Sequence, residues 1–427
     1  MKRKLLIISH NIIDNSNNVG KTVISLLKQW PQEDIYSIYF RNEIRSTMLC
    51  DHSYMISDRD VLGALSPLNK NKCGRTVDAD RNAKDVVSDA SAYRMGNKRY
   101  PIISMVRDVL WHTRKWKTNA LKEWVENINP DVILFIPNDY VLAFEIADYV
   151  YSLVNAKMYT FFTDDSFYYK QNTGLIDTLR RNWIKKIGKD IIDESTGMIT
   201  ASHLMQSEYK ELFGKDSIVL GNCVEISNIS NQIRQSSDGD YIFSYIGNLH
   251  SNRWRCLLDI AKAIENISSS FQKNIIIKVY TASDLPKSVL RQLKSQKCMQ
   301  FMGCIPACEV KKAQEESDAL IHIEAFDYKS KVSTRLSMST KIFEYMSRNV
   351  PIFAYGPNDI SSMSFLALGP FAKTCSDPSE LTLKLKEFLS FDKERTQIRD
   401  KAYLYAKENF IEEKISQLFF DFLNKTA

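Results

Sequence analysis

The chain has 427 residues, 57 Lys and Arg against 51 Asp and Glu, a formal net charge of +6 and 44% hydrophobic residues. That is globular composition, too apolar for disorder and too long for one ordinary core, and it predicts two domains of roughly 200 residues each. The small basic excess suits anionic small molecules or a lipid surface and gives no reason to expect nucleic acid as a partner.

The apolar run Leu5–Ile8 behind Met1-Lys2-Arg3-Lys4 is far shorter than the ~7–15 residues of a signal-peptide core. No stretch reaches the ~18 apolar residues of a membrane span. The expectation is a cytoplasmic protein, at most lying on the inner face of a membrane. Leu5–Ser9 reads as a buried strand, Gly20–Trp30 as a helix and Ile35–Phe40 as a second strand. Residues 45–100 are polar with few periodic segments and read as a variable insertion or mobile loop. Ile102–Asn127 is helical, and Asp131–Ile136 is a strand behind the helix stop Asn129-Pro130. Met158–Phe162 and Gly197–Ala201 are strands, Leu175–Glu194 is a basic helix, and Ser202–Leu212 is a further helix before Ser217–Leu220.

Ser227–Asp240, rich in Ser, Asn, Gln and Asp, is the linker candidate. A second series follows it. Strands are expected at Tyr241–Ile246, Ile275–Tyr280, Met299–Met302, Ala319–Ile323 and Pro351–Ala354. Helices are expected at Arg253–Ile267, Val289–Leu293, Val310–Ser317, Thr340–Ser347, Glu380–Leu389, Lys393–Phe410 and Glu412–Leu423. Strands alternating with helices imply an α/β protein with parallel sheets. Two such series imply two Rossmann-like domains facing a cleft, with ligands outside the carboxyl ends of the strands.

Four segments carry candidate chemistry. Tyr328–Ser339 reads as a polar loop with Lys329, Lys331 and Arg335, running into Ser339-Thr340-Lys341 at a helix start. Such a terminus attracts phosphate through its unpaired amides and dipole. Glu344, one turn further in, is placed to accept hydrogen bonds from sugar hydroxyls. In Tyr245–Arg255, Gly247 and Asn248 follow a strand and Arg253 opens the next helix. Glycine permits close backbone approach there, and arginine can fork onto diphosphate oxygens. In Ser9–Thr22, Gly20-Lys21-Thr22 imitates a phosphate-binding loop, but Asn15 stands where that motif has its first glycine. A loop receiving a polar substrate through Asn18, Gly20 and Lys21 is the better reading. Finally, Asp164 and Asp165 follow a buried strand, where one of them could orient an incoming hydroxyl or cap the next element.

The eight cysteines are scattered and read as small buried hydrophobes in a reduced protein, as do Cys304 and Cys308 beside His322. No metal site is expected. Two stretches interleave Trp with basic residues, Arg107–Trp124 and Leu179–Lys189, and suit either an anionic membrane or a solvated helix with Trp in the core.

Taken in order, these segments resemble the retaining glycosyltransferases of the GT-B fold, in the large family 4 grouping. The likeness covers mainly 241–357. Gly247 and Arg253 match the family's Gly and diphosphate-binding basic residue, Phe301–Gly303 with Val310–Glu324 match the run that houses the base, and Ser339–Pro357 matches the helix-plus-strand signature. Leu336 stands where many members have a first Glu, eight positions before Glu344. The resemblance implies residues 1–225 as an acceptor-binding domain, 226–405 as a nucleotide-sugar-binding domain, and 406–427 as a helix packing back on the first. It implies transfer of a sugar from a nucleotide-diphosphate donor to a hydroxyl of a glycan or lipid-linked acceptor with retention, in surface polysaccharide synthesis, needing no cofactor and no metal. The donor would be held by Gly247, Asn248, Arg253, Lys278, Gly303, Ser339, Thr340, Lys341 and Glu344, and the acceptor met by Asp164 or Asp165. A sugar-nucleotide epimerase of the same fold and a non-catalytic nucleotide-sugar-binding protein are the alternatives.

Overall fold

The computed structural model describes residues 3–15, 17–44, 48–66, 72–78, 86–87, 101–165, 167, 174–226 and 239–425. The chain divides into two compact units, Met1–Leu220 together with Ile415–Ala427, and Gly221–Lys414.

The first unit is built on the strands β1 (Leu5–Ser9), β2 (Ile35–Tyr39), β3 (Glu43–Ile44), β4 (His52–Met55), β5 (Arg75–Asp78), β6 (Val86–Val87), β7 (Val132–Ile136), β8 (Lys157–Phe162), β9 (Gly197–Thr200) and β10 (Ser217–Val219). Eight of them form one sheet in the order β10-β9-β8-β7-β1-β2-β4-β5, while β3 and β6 form a separate antiparallel pair. Every neighbour in the large sheet is parallel except β4 and β5. β1 and β7 bury all five residues each, the unbroken apolar run of a strand covered on both faces. Strand order reverses between β1 and β7. The last helix, Glu412–Lys425, returns to this unit: Tyr159 donates its hydroxyl to Leu423 O at 3.0 Å and its ring meets Phe422 edge-on.

The segment 45–100 is corrected in part, because β4 and β5 are strands of the main sheet rather than loop. Their signal is weak because polar side chains sit inside: Ser53 on β4 and Ser37 on β2 are both buried and bonded to each other at 2.8 Å. The expected single helical region 102–127 is two helices, Pro101–His112 and Asn119–Ile128. They are separated at Arg114, whose positive φ a helix cannot hold. The helix Val141–Ser152 gave no periodic signal because it is apolar nearly all round. Residues 227–238 of the linker candidate lie outside the described residues.

The second unit carries β11 (Tyr241–Ile246), β12 (Ile275–Tyr280), β13 (Met299–Gly303), β14 (Ala319–Ile323), β15 (Ile352–Tyr355) and β16 (Lys373–Cys375). They form one parallel sheet in the order β13-β12-β11-β14-β15-β16. In this unit's own strand count that order is 3-2-1-4-5-6, the doubly wound arrangement whose switch point lies between β11 and β14. Helix Arg253–Ile267 packs its apolar stripe onto this sheet. Residues Tyr328–Thr334, expected as loop, are a short helix capped by Asp327, which accepts from Ser330 N at 3.1 Å. With seven residues and Val332 as its one aliphatic side chain, it leaves no periodic trace in the sequence.

Candidate functional site

In the second unit the turn after β11 and helix Thr340–Met346 meet at the switch point. Lys341 and Tyr345, four apart, share the helix face turned to that turn. The Tyr345 hydroxyl donates to Ile246 O at 3.3 Å and accepts from Ile246 N at 3.4 Å, fixing the helix against the strand end. Lys341 consequently lays its ammonium on Gly247: a Cβ built at that glycine would stand 1.8 Å from Nζ. Gly247 also has φ +157°, which side-chain-bearing residues rarely adopt. The ammonium sits 5.5 Å over the Tyr245 ring, a cation–π contact. Burial, and then the positive charge of Arg253, pull its pKa down from 10.5 to about 8, against the opposing pull of Glu324 and Glu344.

Arg253 stands at the first position of its helix and reaches back across the switch point to Glu324, just past β14. Its NH2 lies 2.9 Å and 3.2 Å from the two carboxylate oxygens and its Nε 3.3 Å from Oε2. NH1 donates to Asn248 Oδ1 at 3.2 Å. The pair is a fork-on-carboxylate contact with Glu324 buried and Arg253 partly exposed. His322, on β14, lies beside it with Nε2 3.6 Å from Glu324 Oε1. Burial first, then the charges of Arg253 and Lys341, push its imidazole down to about 3, so it is neutral at ordinary pH.

Gly247, Asn248, Arg253 and Lys341 are thus brought together. Glu344 is near enough to act on Lys341 electrostatically, and accepts from Gln314 Nε2 at 3.5 Å. Ser339 occupies the N-cap position of the helix, without a side-chain cap bond, and Thr340 is its first residue. Lys278 is in mid-strand, its register partner being Ser244 on β11, two residues short of the carboxyl end of β12. Gly303 ends the edge strand β13, where its carbonyl accepts from Thr281 N at 2.9 Å. Sequence reasoning missed Glu324 as the partner of Arg253, and with it Tyr245, Tyr345 and His322. The available signal was a carboxylate ending an apolar strand, Ile321-His322-Ile323-Glu324.

In the first unit, the turn after β1 leads to helix Asn18–Leu26, capped by Asn17, whose Oδ1 accepts from Gly20 N at 2.8 Å. A Cβ on Gly20 would come within 2.0 Å of Asp14 O, so close packing explains the glycine. Asn18 and Lys21 are exposed on the first turn. Past β8, Asp164 is exposed, whereas Asp165 Oδ1 accepts from Phe167 N at 2.9 Å and from the Tyr209 hydroxyl at 3.0 Å. His10 follows β1 and stacks on Tyr140, and the Arg107 guanidinium lies 4.4 Å from the centroid of that tyrosine ring. Burial, Arg107 and Arg41 together hold His10 well below its ordinary range. The tryptophans singled out in the basic stretches are partly core: Trp111 and Trp116 are fully buried, with Trp111 donating to Asp58 Oδ1 at 2.7 Å. Cys304 and Cys308, expected as buried, are instead exposed, whereas His322 is buried. Among the described residues no three His, Cys, Asp or Glu gather as a metal site would require.

Two doubly wound parallel-sheet units, with the last helix returned to the first, give this chain the GT-B fold. Among solved structures it is similar to Anabaena HepE in complex with UDP and glucose, with a TM-score of 0.63, 11% identity, and coverage of 99% of this chain and 100% of the other. Sucrose-phosphate synthase from Thermosynechococcus elongatus matches with a TM-score of 0.63 and 10% identity over 99% and 98% of the two chains. Trehalose 6-phosphate synthase from Burkholderia multivorans gives 0.60 and 10% over 100% and 97%. No protein-family model matches the sequence, and no curated protein does.

Proposed function

We propose that this chain is a glycosyltransferase that moves a sugar from a nucleoside diphosphate donor, a UDP-sugar first of all, to a hydroxyl of a glycan or lipid-linked acceptor. The observation that carries this is the Lys341 ammonium. It is set over the Gly247 turn at a topological switch point, and among the described residues no carboxylate forms an ion pair with it. A cation held there at an electrostatic cost is a site for anionic phosphate oxygens. The UDP and UDP-glucose complexes of the structurally similar HepE support the choice of donor.

In the reaction, the bond from the anomeric carbon to the β-phosphate oxygen breaks, the acceptor oxygen takes that carbon, and the acceptor's hydroxyl proton passes to the departing diphosphate. Negative charge develops on the departing diphosphate, where Lys341 and the NH1 edge of Arg253 stabilise it. Glu344 holds hydroxyls of the ribose or donor sugar. Asp164 or Asp165, past β8, faces the acceptor. Retention and a role in surface polysaccharide synthesis follow the family resemblance. One observation favours a binding protein without turnover: Leu336, 1% exposed, fills the position of the first Glu.

Incubation with a panel of UDP-, GDP- and CMP-sugars, with and without glycan or lipid-linked acceptors, tests the proposal. Acceptor-dependent release of nucleoside diphosphate supports transfer. Donor binding without release for every acceptor supports the binding protein. Acceptor-independent release accompanied by an isomerised sugar supports an epimerase. No binding of any donor refutes the site.

A further inference from the structure

The helix Ala307–Glu315 buries a single residue, and that residue is a glutamine. Gln314 is 1% exposed, while Lys312 and Glu315 beside it face water. A primary amide taken out of water is costly unless both its ends are bonded. Here each end meets a charged group. Arg348 donates from Nε to Gln314 Oε1 at 2.8 Å, and Gln314 Nε2 donates to Glu344 Oε2 at 3.5 Å. A guanidinium can only donate and a carboxylate can only accept, so the amide has one orientation that satisfies both.

Arg348 is itself fixed. Its NH1 donates to Glu225 O at 2.7 Å. The Glu225 carboxylate is ion-paired at 2.6 Å to Lys311, three residues before Gln314 on the same helix. The four residues close a ring that braces Gln314 from the side away from Glu344. Glu344 itself is partly exposed, one turn on from Lys341. Among the described residues its carboxylate has no hydrogen-bond partner besides Gln314, and that bond goes to Oε2, which leaves Oε1 unbonded. The charge of Glu344 also leads those of the carboxylates that support Arg348 against its burial.

We infer that Gln314, braced by Arg348, is a positioning residue that aims the Glu344 carboxylate at the paired hydroxyls of the donor's ribose. The inference rests on the proposed function, in which Glu344 meets hydroxyls of the nucleotide sugar, and adds to it two residues that do not touch the ligand. The ribose diol is the hydroxyl pair common to every ribonucleoside diphosphate sugar, whichever sugar is transferred. A carboxylate with one oxygen tethered and the other open is oriented to accept from it. An untethered glutamate on the same helix would have to lose rotamer freedom on binding, and Gln314 removes that cost beforehand. A leucine or methionine at this buried position would fill the space equally well but would aim nothing.

The test is calorimetric titration of the full chain with UDP and with dideoxy-UDP, which lacks both ribose hydroxyls. The wild type should prefer UDP by about tenfold or more. Gln314→Met keeps the volume and removes both bonds; it should weaken UDP by about tenfold and leave dideoxy-UDP within about twofold. Gln314→Glu keeps an acceptor for Arg348 but turns a carboxylate on Glu344, so the brace remains and the preference for UDP should still be lost. In the Glu344→Gln background, Gln314→Met should cost UDP nothing further. Equal weakening of both nucleotides, no weakening of either, a preference retained in Gln314→Glu, or full additivity with Glu344→Gln would each overturn the inference. A wild type that binds both nucleotides equally overturns it while leaving the diphosphate site standing. A wild type that binds neither removes the UDP-sugar reading and this inference together.

Discussion

Replacing Lys341 with Met removes a charge while nearly keeping the volume. A drop in pKa from 10.5 to about 8 corresponds to an upper bound of ~3 kcal/mol for keeping the ammonium charged in the folded protein. Loss of the Tyr245 cation–π contact returns about 0.5–1 kcal/mol. Partial exposure of the side chain reduces the gain further, so Lys341→Met should stabilise the protein by about 1–2 kcal/mol at pH 7. The sign follows from proton binding. Between about pH 8 and 10.5 the unfolded chain holds a proton on this lysine that the folded chain has released, so wild-type stability from this group rises through that window. The advantage of the Met variant should therefore be full below pH 8 and shrink toward zero near pH 10.5. Urea unfolding of both proteins at a series of pH values measures the difference directly. The same variant should lose at least tenfold in UDP affinity, the opposite direction from its stability. A Met variant that is less stable at pH 7, or whose advantage persists undiminished at the alkaline end, refutes the idea of an uncompensated ammonium waiting for an anion.

Other outcomes follow from the same geometry. UDP affinity of the wild type should hold steady up to about pH 8 and then weaken by up to tenfold per pH unit as Lys341 deprotonates, which calorimetric titrations at stepped pH would show. Arg253→Ala should weaken UDP binding and also destabilise the protein by about 2–4 kcal/mol, because Glu324 is left buried without its partner; Arg253→Ala with Glu324→Gln should recover much of the stability but not the binding, as unfolding and binding curves on the same samples would reveal. Gly247→Ala should displace the lysine and lower UDP affinity, with little further loss when combined with Lys341→Met in a double-mutant cycle. Gly20→Ala should act on folding, costing about 1–3 kcal/mol with UDP affinity per folded molecule unchanged, because Asp14 O occupies the space of the added carbon.

What the amino-acid order determines by itself is whatever is local and periodic. The apolar runs Leu5–Ile8, Val132–Ile136 and Ala319–Ile323 announce strands buried on both faces, and Arg253–Ile267 announces its helix, because alternation and burial are written within a few residues. Gly247 and Arg253 are legible for the same reason, as a turn and a helix start six residues apart. Elements whose stabilising contacts lie elsewhere are hidden. β4 depends on a Ser37–Ser53 bond across strands, and Tyr328–Thr334 is too short and too polar to show a period.

Only the tertiary structure decides what each charge meets. Glu324 is 71 residues from Arg253 in the chain, yet strand order places both at one switch point, and the pair is formed there. Lys341 becomes a strained cation only because Tyr345 anchors its helix against the end of β11. Asp108 and Arg180 turn polar groups inward and so leave isoleucine, valine and leucine on the outside, reversing what amphipathicity alone suggests for those two helices. Desolvation is the common reason: the energy of a charge depends on its surroundings in three dimensions, which spacing along the chain does not contain.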